Sequence, residues 1–351
     1  DLWAFFRRIS TADIAVMTRQ LATLVRAGVP LVDSISALTE QVEKEQLVRV
    51  LSAVRETLNE GTSFAKSLGM HPKAFQPLYV NMVAAGEASG NLEAVLERLA
   101  DFMEGQARLK GKVASALAYP VLMMLIGGLL VGFLMVAVVP KVTSIFENLG
   151  QTLPWNTRLL IFSSDMLADY WWLLITLAVI TTVVFQRWRS RPEGRLRWDT
   201  MQLGWPVFGR LNLLVAVSRF TRTLSTLLSS GVPLLKAMEI GRNVLGNAKL
   251  AGVVTEAIGS IREGESIAEP LKRSGAFPPM VIHMIAVGER TGQLEAMLEN
   301  VSRAYESDVE TRVTALTSLL EPVMILALGA VVGFIAMSIL MPLMQMNQLV
   351  Q

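Results

Sequence analysis

Apolar residues follow two rhythms along this chain. Leu92, Val95, Leu96, Leu99, Phe102 and Met103 recur at helical spacing, while Glu93, Glu97, Asp101 and Glu104 occupy another face. Leu294, Met297, Leu298 and Val301 repeat the pattern far downstream. Neither stretch alternates with the period of two that a strand needs, so both predict amphipathic helices. The second rhythm is unbroken apolarity. Residues 113–140 carry no charge, and their core VLMMLIGGLLVGFLMVAVV is 19 residues between Pro120 and Pro140, about 28 Å of helix. Residues 322–351 are equally free of charge. Between these runs, YWWLLITLAVITTVVFQ (residues 170–186) is bounded by Asp169 and Arg187 and opens on Trp171 and Trp172, where an interfacial aromatic belt places them. The three runs predict transmembrane helices. The competing reading, buried helices of a large soluble protein, suffers from their length without a charge.

The polar phrases between these runs occur twice. TRQLATLVRAGVPL (residues 18–31) matches TRTLSTLLSSGVPL (residues 221–234) at 9 of 14 positions, where chance gives roughly one. EGTSFAKSL at Glu60 pairs with EGESIAEPL at Glu263, and VAAGEASGNLEAVLERL (residues 83–99) with IAVGERTGQLEAMLENV (residues 285–301). Pro120 pairs with Pro322. The repeated unit is one helical domain followed by one membrane helix, and the middle span returns the chain to its first side. The expected architecture is all-α: two homologous antiparallel bundles of about six helices each, and three transmembrane helices.

Within each copy, Gly28 and Gly231 read as helix C-caps, and Pro30 and Pro233 open the next helix near its first turn. Gly86 and Gly90, with Gly288 and Gly292, bracket a second turn. Ser89 and Thr291 stand where they could cap the next helix. The repeated Glu87 and Glu289 invite an ion pair with Arg19 and Arg222, the cations that recur in both copies of the other repeated phrase; a solvated glutamate is the alternative.

Charge sets the orientation. Arg108, Lys110 and Lys112 precede the first span, and Arg187, Arg189, Arg191, Arg195 and Arg197 follow the second, so both sides read as cytoplasmic. The expected organisation is a first cytoplasmic domain (1–112), a span (113–140), an outside loop (141–169), a span (170–186), a second cytoplasmic domain (187–320), a span (321–342) and a short outside tail (343–351). Composition agrees with a membrane class, since 52% of the 351 residues are hydrophobic and 18% charged. A net charge of +2 gives no basic field for nucleic acid. The chain has no cysteine, which removes thiolate and disulfide chemistry. Asp1 opens it without a secretory signal pattern, which reads as a trimmed N-terminus.

Enzymatic motifs fail on inspection. GQARLKGKV (residues 105–113) resembles a phosphate loop, but five residues separate Gly105 from Gly111 and Val113 replaces the magnesium-binding hydroxyl. His71 and His283 are not equivalent in the repeat and belong to no zinc motif. Glu97 and Asp101 could hold a hard cation weakly, a plain wet face being the competing reading. No cofactor is expected. The spans carry no ionisable residue of the kind an ion pathway uses. Gly127, Gly128, Gly132, Gly329 and Gly333 suggest close helix packing and a homo-oligomer.

The doubled TRQLATLVRAGVPL and GEASGNLEAVLERLA blocks, with VVPKVTSIFENLGQTLPWNTRLL from Val138, resemble the inner-membrane platform proteins of bacterial type II secretion systems and type IV pilus assembly machines. Gly28, Pro30, Glu87 and Gly90, and their repeats Gly231, Pro233, Glu289 and Gly292, match that family's motif positions. The resemblance implies a non-enzymatic protein of the bacterial inner membrane, with a cytoplasmic N-terminus and a periplasmic C-terminus. It implies as partners a cytoplasmic hexameric ATPase, pilin or pseudopilin subunits and other inner-membrane assembly proteins. Members usually carry a further N-terminal segment before the position of Asp1. Secretion is favoured slightly over pilus assembly, and a repeat-built transporter is the rival from another class.

Overall fold

The computed structural model describes residues 9–141, 155–206 and 208–349, and among these there is no strand. Two units cluster separately, residues 1–112 with 196–310, and residues 113–195 with 311–351.

The first unit contains both bundles. Bundle one is built from α1 (Thr11–Arg26), α2 (Leu31–Gln41), α3 (Glu45–Asn59), α4 (Phe64–Gly69), α5 (Pro77–Ser89) and the start of α6 (Leu92–Phe133). After α7 (Trp155–Asp169), α8 (Trp171–Ser190) and α9 (Pro192–Leu203), bundle two repeats the order as α10 (Phe208–Ser229), α11 (Leu234–Val244), α12 (Ala248–Arg262), α13 (Ala268–Arg273), α14 (Pro279–Thr291) and the start of α15 (Leu294–Leu349). Consecutive helices pack on one another in both copies. Equivalent positions fill equivalent cores: Leu21, Leu47, Leu68, Phe75, Leu96 and Leu99 are buried in the first copy, and Leu224, Leu250, Leu271, Phe277, Leu298 and Val301 in the second. Removing such side chains from water is the main favourable contribution to each bundle.

Local chemistry ends these helices. Gly28 has φ +82° and Gly231 φ +80°, a conformation that costs glycine little. Gly28 N–H donates to Val25 O and Val29 N–H to Leu24 O, and the same pair of bonds closes α10 at Gly231 and Val232. These are Schellman closures, which satisfy the last carbonyls of each helix. Pro30 and Pro233 open the next helices from the N-cap position, with ψ of 142° and 141°. Their fixed φ suits the extended cap, and a missing N–H costs nothing there.

The second unit holds the apolar lengths. Three helical stretches, Leu92–Lys141, Trp171–Ser190 and Leu294–Met341, are long and apolar enough to cross a membrane. The helix of the first continues through Pro120 to Phe133. It then widens into a π-helical turn at Leu134–Val138. A wider turn loosens the regular ladder, and Ser164 Oγ on α7 donates to Met135 O at 2.5 Å. Thr157 Oγ1 on the same helix donates to Ser338 O at 2.7 Å. Leu160 of α7 packs with Val139 and Ile335. Gly127 lies where a Cβ would meet Leu328 Cδ1 at 3.1 Å, whereas Gly128, Gly132, Gly329 and Gly333 have nothing within 4 Å of that point. Of the five span glycines, one serves packing within the unit. Residues 142–154 of the expected outside loop, and residues 350–351 of the tail, lie outside the described residues.

Candidate functional site

The repeated Gly-Glu-x-x-Gly phrase forms a tight junction in each bundle, where its glycines and glutamate have separate physical tasks. Gly86 lets the end of α5 cross the start of α6 closely, since a Cβ there would meet Val95 Cβ at 3.1 Å and Leu92 Cα at 3.2 Å. At Gly288 the approach is closer still, 2.8 Å from Leu294 Cα. Gly90 and Gly292 both take φ +69°, and Asn91 N–H and Gln293 N–H reach back to Gly86 O and Gly288 O at 3.0 Å. Ser89 does not cap the following helix: its hydroxyl donates to Gly86 O, and that of Thr291 to Val287 O. Each hydroxyl turns back on its own helix because a carbonyl is within reach there.

Glu87 does not pair with Arg19. Its carboxylate accepts Phe64 N–H at 2.7 Å and Ala65 N–H at 2.9 Å, so it caps α4 from another helix. Glu289 accepts Ile267 N–H at 3.0 and 3.1 Å from its two oxygens, at the start of α13. Short helices leave their first N–H groups without internal partners, and a carboxylate also complements the positive end of the helix. The ion-pair expectation fails because it seeks a charged partner where backbone donors suffice. A signal for the true partner does exist in the sequence: the helices that Glu87 and Glu289 cap lie in the EGTSFAKSL and EGESIAEPL blocks, a third repeated phrase.

Arg19 instead bridges α1 to α6. Its Nε donates to Glu104 at 2.6 Å and its Nη2 to the other Glu104 oxygen at 2.9 Å, and it also pairs with Asp101. Hydrogen bonding to Glu104 raises the guanidinium pKa further and lowers that of Glu104. Further along α1, Arg26 Nη1 pairs with Glu97 at 2.9 Å. Glu97 and Asp101, expected as weak cation ligands, are therefore partners of arginines, and no group of three or more His, Asp or Glu among the described residues is placed to hold a metal ion. Bundle two lacks this ladder. Arg303 stands at the position of Asp101 and pairs with Glu299 at 2.6 Å, and Arg222 makes no ion pair among the described residues.

Three further groups are not evident from the sequence. Tyr79, buried on α5, lies 3.0 Å from Thr18 Oγ1. Since Thr18 donates its own proton to Ile14 O at 2.6 Å, Tyr79 donates to Thr18, and burial raises the phenol pKa so that it stays neutral. Val281 occupies the matching place in bundle two, which is why comparing the repeats gives no hint of it. Asp13 completes a capping box with Ser10 and binds Lys44 Nζ at 2.6 Å. In bundle two Asp199, on α9 before the repeat begins, accepts Ala248 N–H at 2.7 Å beside the N-cap Asn247.

These arrangements fix helices against one another, and among the residues described above no nucleophile is paired with a base. A cleft lined by Ile14, Lys73, Tyr79, Leu99, Phe102 and Met103 measures about 150 Å³.

Comparison with known proteins assigns the repeat. The family model described as type II secretion system (T2SS), protein F matches residues 17–140 and again 220–342. The type II secretion system protein F of Pseudomonas aeruginosa is 42% identical over 347 residues, covering 99% of this chain and 85% of the relative. That of Vibrio cholerae is 39% identical over 348 residues, with 99% and 86% covered. The type IV pilus assembly protein PilC of Myxococcus xanthus is 37% identical over 347 residues, with 99% and 83% covered. The two matched segments each take in one six-helix bundle and the apolar helix that follows it, so the chain belongs to the type II secretion system protein F family.

Proposed function

We propose that the chain is the inner-membrane platform of a type II secretion system, where it couples a cytoplasmic hexameric ATPase to the assembly of a pseudopilus. The carrying observation is the duplicated unit of bundle plus apolar helix, matched twice by the family model. A platform needs rigid bodies joined to membrane helices, and helices α6 and α15 each run from a bundle into an apolar length without a break in the chain. The role is non-enzymatic. Both bundles face the cytoplasm, residues 141–169 and the C-terminal tail face the periplasm, and the protein acts as a homo-oligomer beside other inner-membrane assembly proteins and pseudopilin subunits. The arginines that follow α8 support this orientation.

The same role in pilus assembly is the second reading, favoured by relatives that carry that name. Deletion of the gene in its own organism separates the two. Loss of secreted proteins from the medium with pili retained supports secretion; loss of pili with secretion retained supports pilus assembly. Coupling is tested with the full chain in membranes: co-sedimentation of the ATPase from the same gene cluster supports it, and no association in either nucleotide state removes it.

A further inference from the structure

We propose that the cytoplasmic-side end of α8 is a binding surface for the headgroups of anionic phospholipids, built from Arg187, Arg189 and Arg191 around Trp188. The inference rests on the reading of α8 as a membrane span. All three arginines are exposed, and none makes an ion pair among the described residues. In bundle one, by contrast, Arg19, Arg26 and Arg49 each hold a carboxylate, although Arg55 and Arg98 hold none among the described residues. From residue 170 to residue 195 the one acid in the sequence is Glu193, against Arg187, Arg189, Arg191 and Arg195, so positive charge is in excess there. Such a concentration at the end of an apolar helix raises the local positive potential unless anions gather there.

Two observations place this charge at headgroup depth. Trp171 and Trp172 at the start of α8 are 57% and 54% exposed, and Trp188 near its end is 38% exposed. The separation from Trp172 to Trp188 is about 24 Å along a helix, so aromatic rings mark both ends of the apolar stretch as interfacial belts do. The Trp188 ring lies 6.0 Å from that of Phe185 on the apolar side. The chain then bends at Arg191. Arg191 N–H donates to Trp188 O at 3.2 Å, and a Cβ on Gly194 would fall 2.1 Å from that same oxygen. The turn therefore depends on glycine and keeps residues 191–195 against the end of α8, where the negative end of the helix dipole also favours cations. Guanidinium forks suit phosphate oxygens, which they bind with two parallel hydrogen bonds.

The test uses the full chain reconstituted in phosphatidylcholine bilayers, with trace spin-labelled phosphatidylglycerol or spin-labelled phosphatidylcholine read by electron paramagnetic resonance. The expected result is about a fivefold preference of the motionally restricted shell for phosphatidylglycerol, falling as salt is raised. The triple variant Arg187→Gln, Arg189→Gln, Arg191→Gln loses the preference, and the corresponding triple lysine variant keeps most of it. Equal association of both lipids with the unaltered chain overturns the proposal and leaves the arginines to an acidic protein partner. Absence of any restricted lipid shell overturns the membrane-spanning reading with it, so the two failures are distinguishable.

Discussion

The Phe220 ring lies where a side chain on Gly241 would begin: a Cβ there would meet Phe220 Cε2 at 3.1 Å and Cδ2 at 3.2 Å. The matching positions of bundle one are Met17 and Leu38, both buried. One copy thus places a ring opposite a glycine, and the other a thioether and a leucine, so the duplicated core keeps its volume while exchanging its parts. Gly241→Leu should cost about 1–3 kcal/mol by overpacking. Adding Phe220→Met should recover most of that loss. Thermal unfolding of both variants in detergent measures it, and a double variant no better than Gly241→Leu alone refutes the exchange.

Much of this fold is legible in the sequence, because the duplication carries it. Gly28, Gly90, Gly231 and Gly292 announce positive φ, and the periodic spacing from Leu92 announces a helix. Partners of charged groups are another matter. Glu87 and Arg19 share the property of recurring, but recurrence does not say what a residue touches. Backbone N–H groups have no letter in a sequence, so the repeated EGTSFAKSL block is the one hint at the helix that Glu87 caps 23 positions away, and it does not name the donors. Gly86 is legible as a turn residue, yet its close contact with Leu92 and Val95 depends on a crossing geometry that only the folded chain defines.

The capping carboxylates should be unequal. Glu87 holds two N–H groups of α4, and Glu289 holds one at the start of α13. Glu87→Ala is expected to cost about 1–2 kcal/mol, as loss of a cap with two orphaned donors does. Glu289→Ala should cost less. Amide exchange at Phe64 and Ala65 should accelerate in the first variant alone, and equal destabilisation by both would contradict the bonding pattern.

Ser302 is fully buried on α15, and its hydroxyl has no partner. Ala100 fills the equivalent place in bundle one and is also fully buried. An unsatisfied buried hydroxyl costs about 1–3 kcal/mol, so Ser302→Ala should raise the melting temperature, with Ala100→Ser lowering it. A drop on Ser302→Ala would mean that the hydroxyl is satisfied in solution.

Acid should loosen bundle one. Burial works against ionisation of Asp13, but the hydrogen bonds from Lys44 and Ser10 together outweigh it and lower the pKa. Glu104 is lowered chiefly by its hydrogen bonds from Arg19. A carboxylate with a depressed folded pKa contributes stability that is fully present above its unfolded value, near 4, and is lost as pH falls through the folded value. The melting temperature is therefore expected to hold from neutrality to about pH 5 and to fall below about pH 4. Asp13→Asn should flatten that descent while lowering stability at neutral pH, because the amide can hold neither the charge of Lys44 nor two N–H and O–H donors at one anionic oxygen. Glu104→Gln should flatten it less, since the Arg19 bridge is more open to solvent, which screens it. A descent unchanged in both variants would assign the acid sensitivity to other carboxylates.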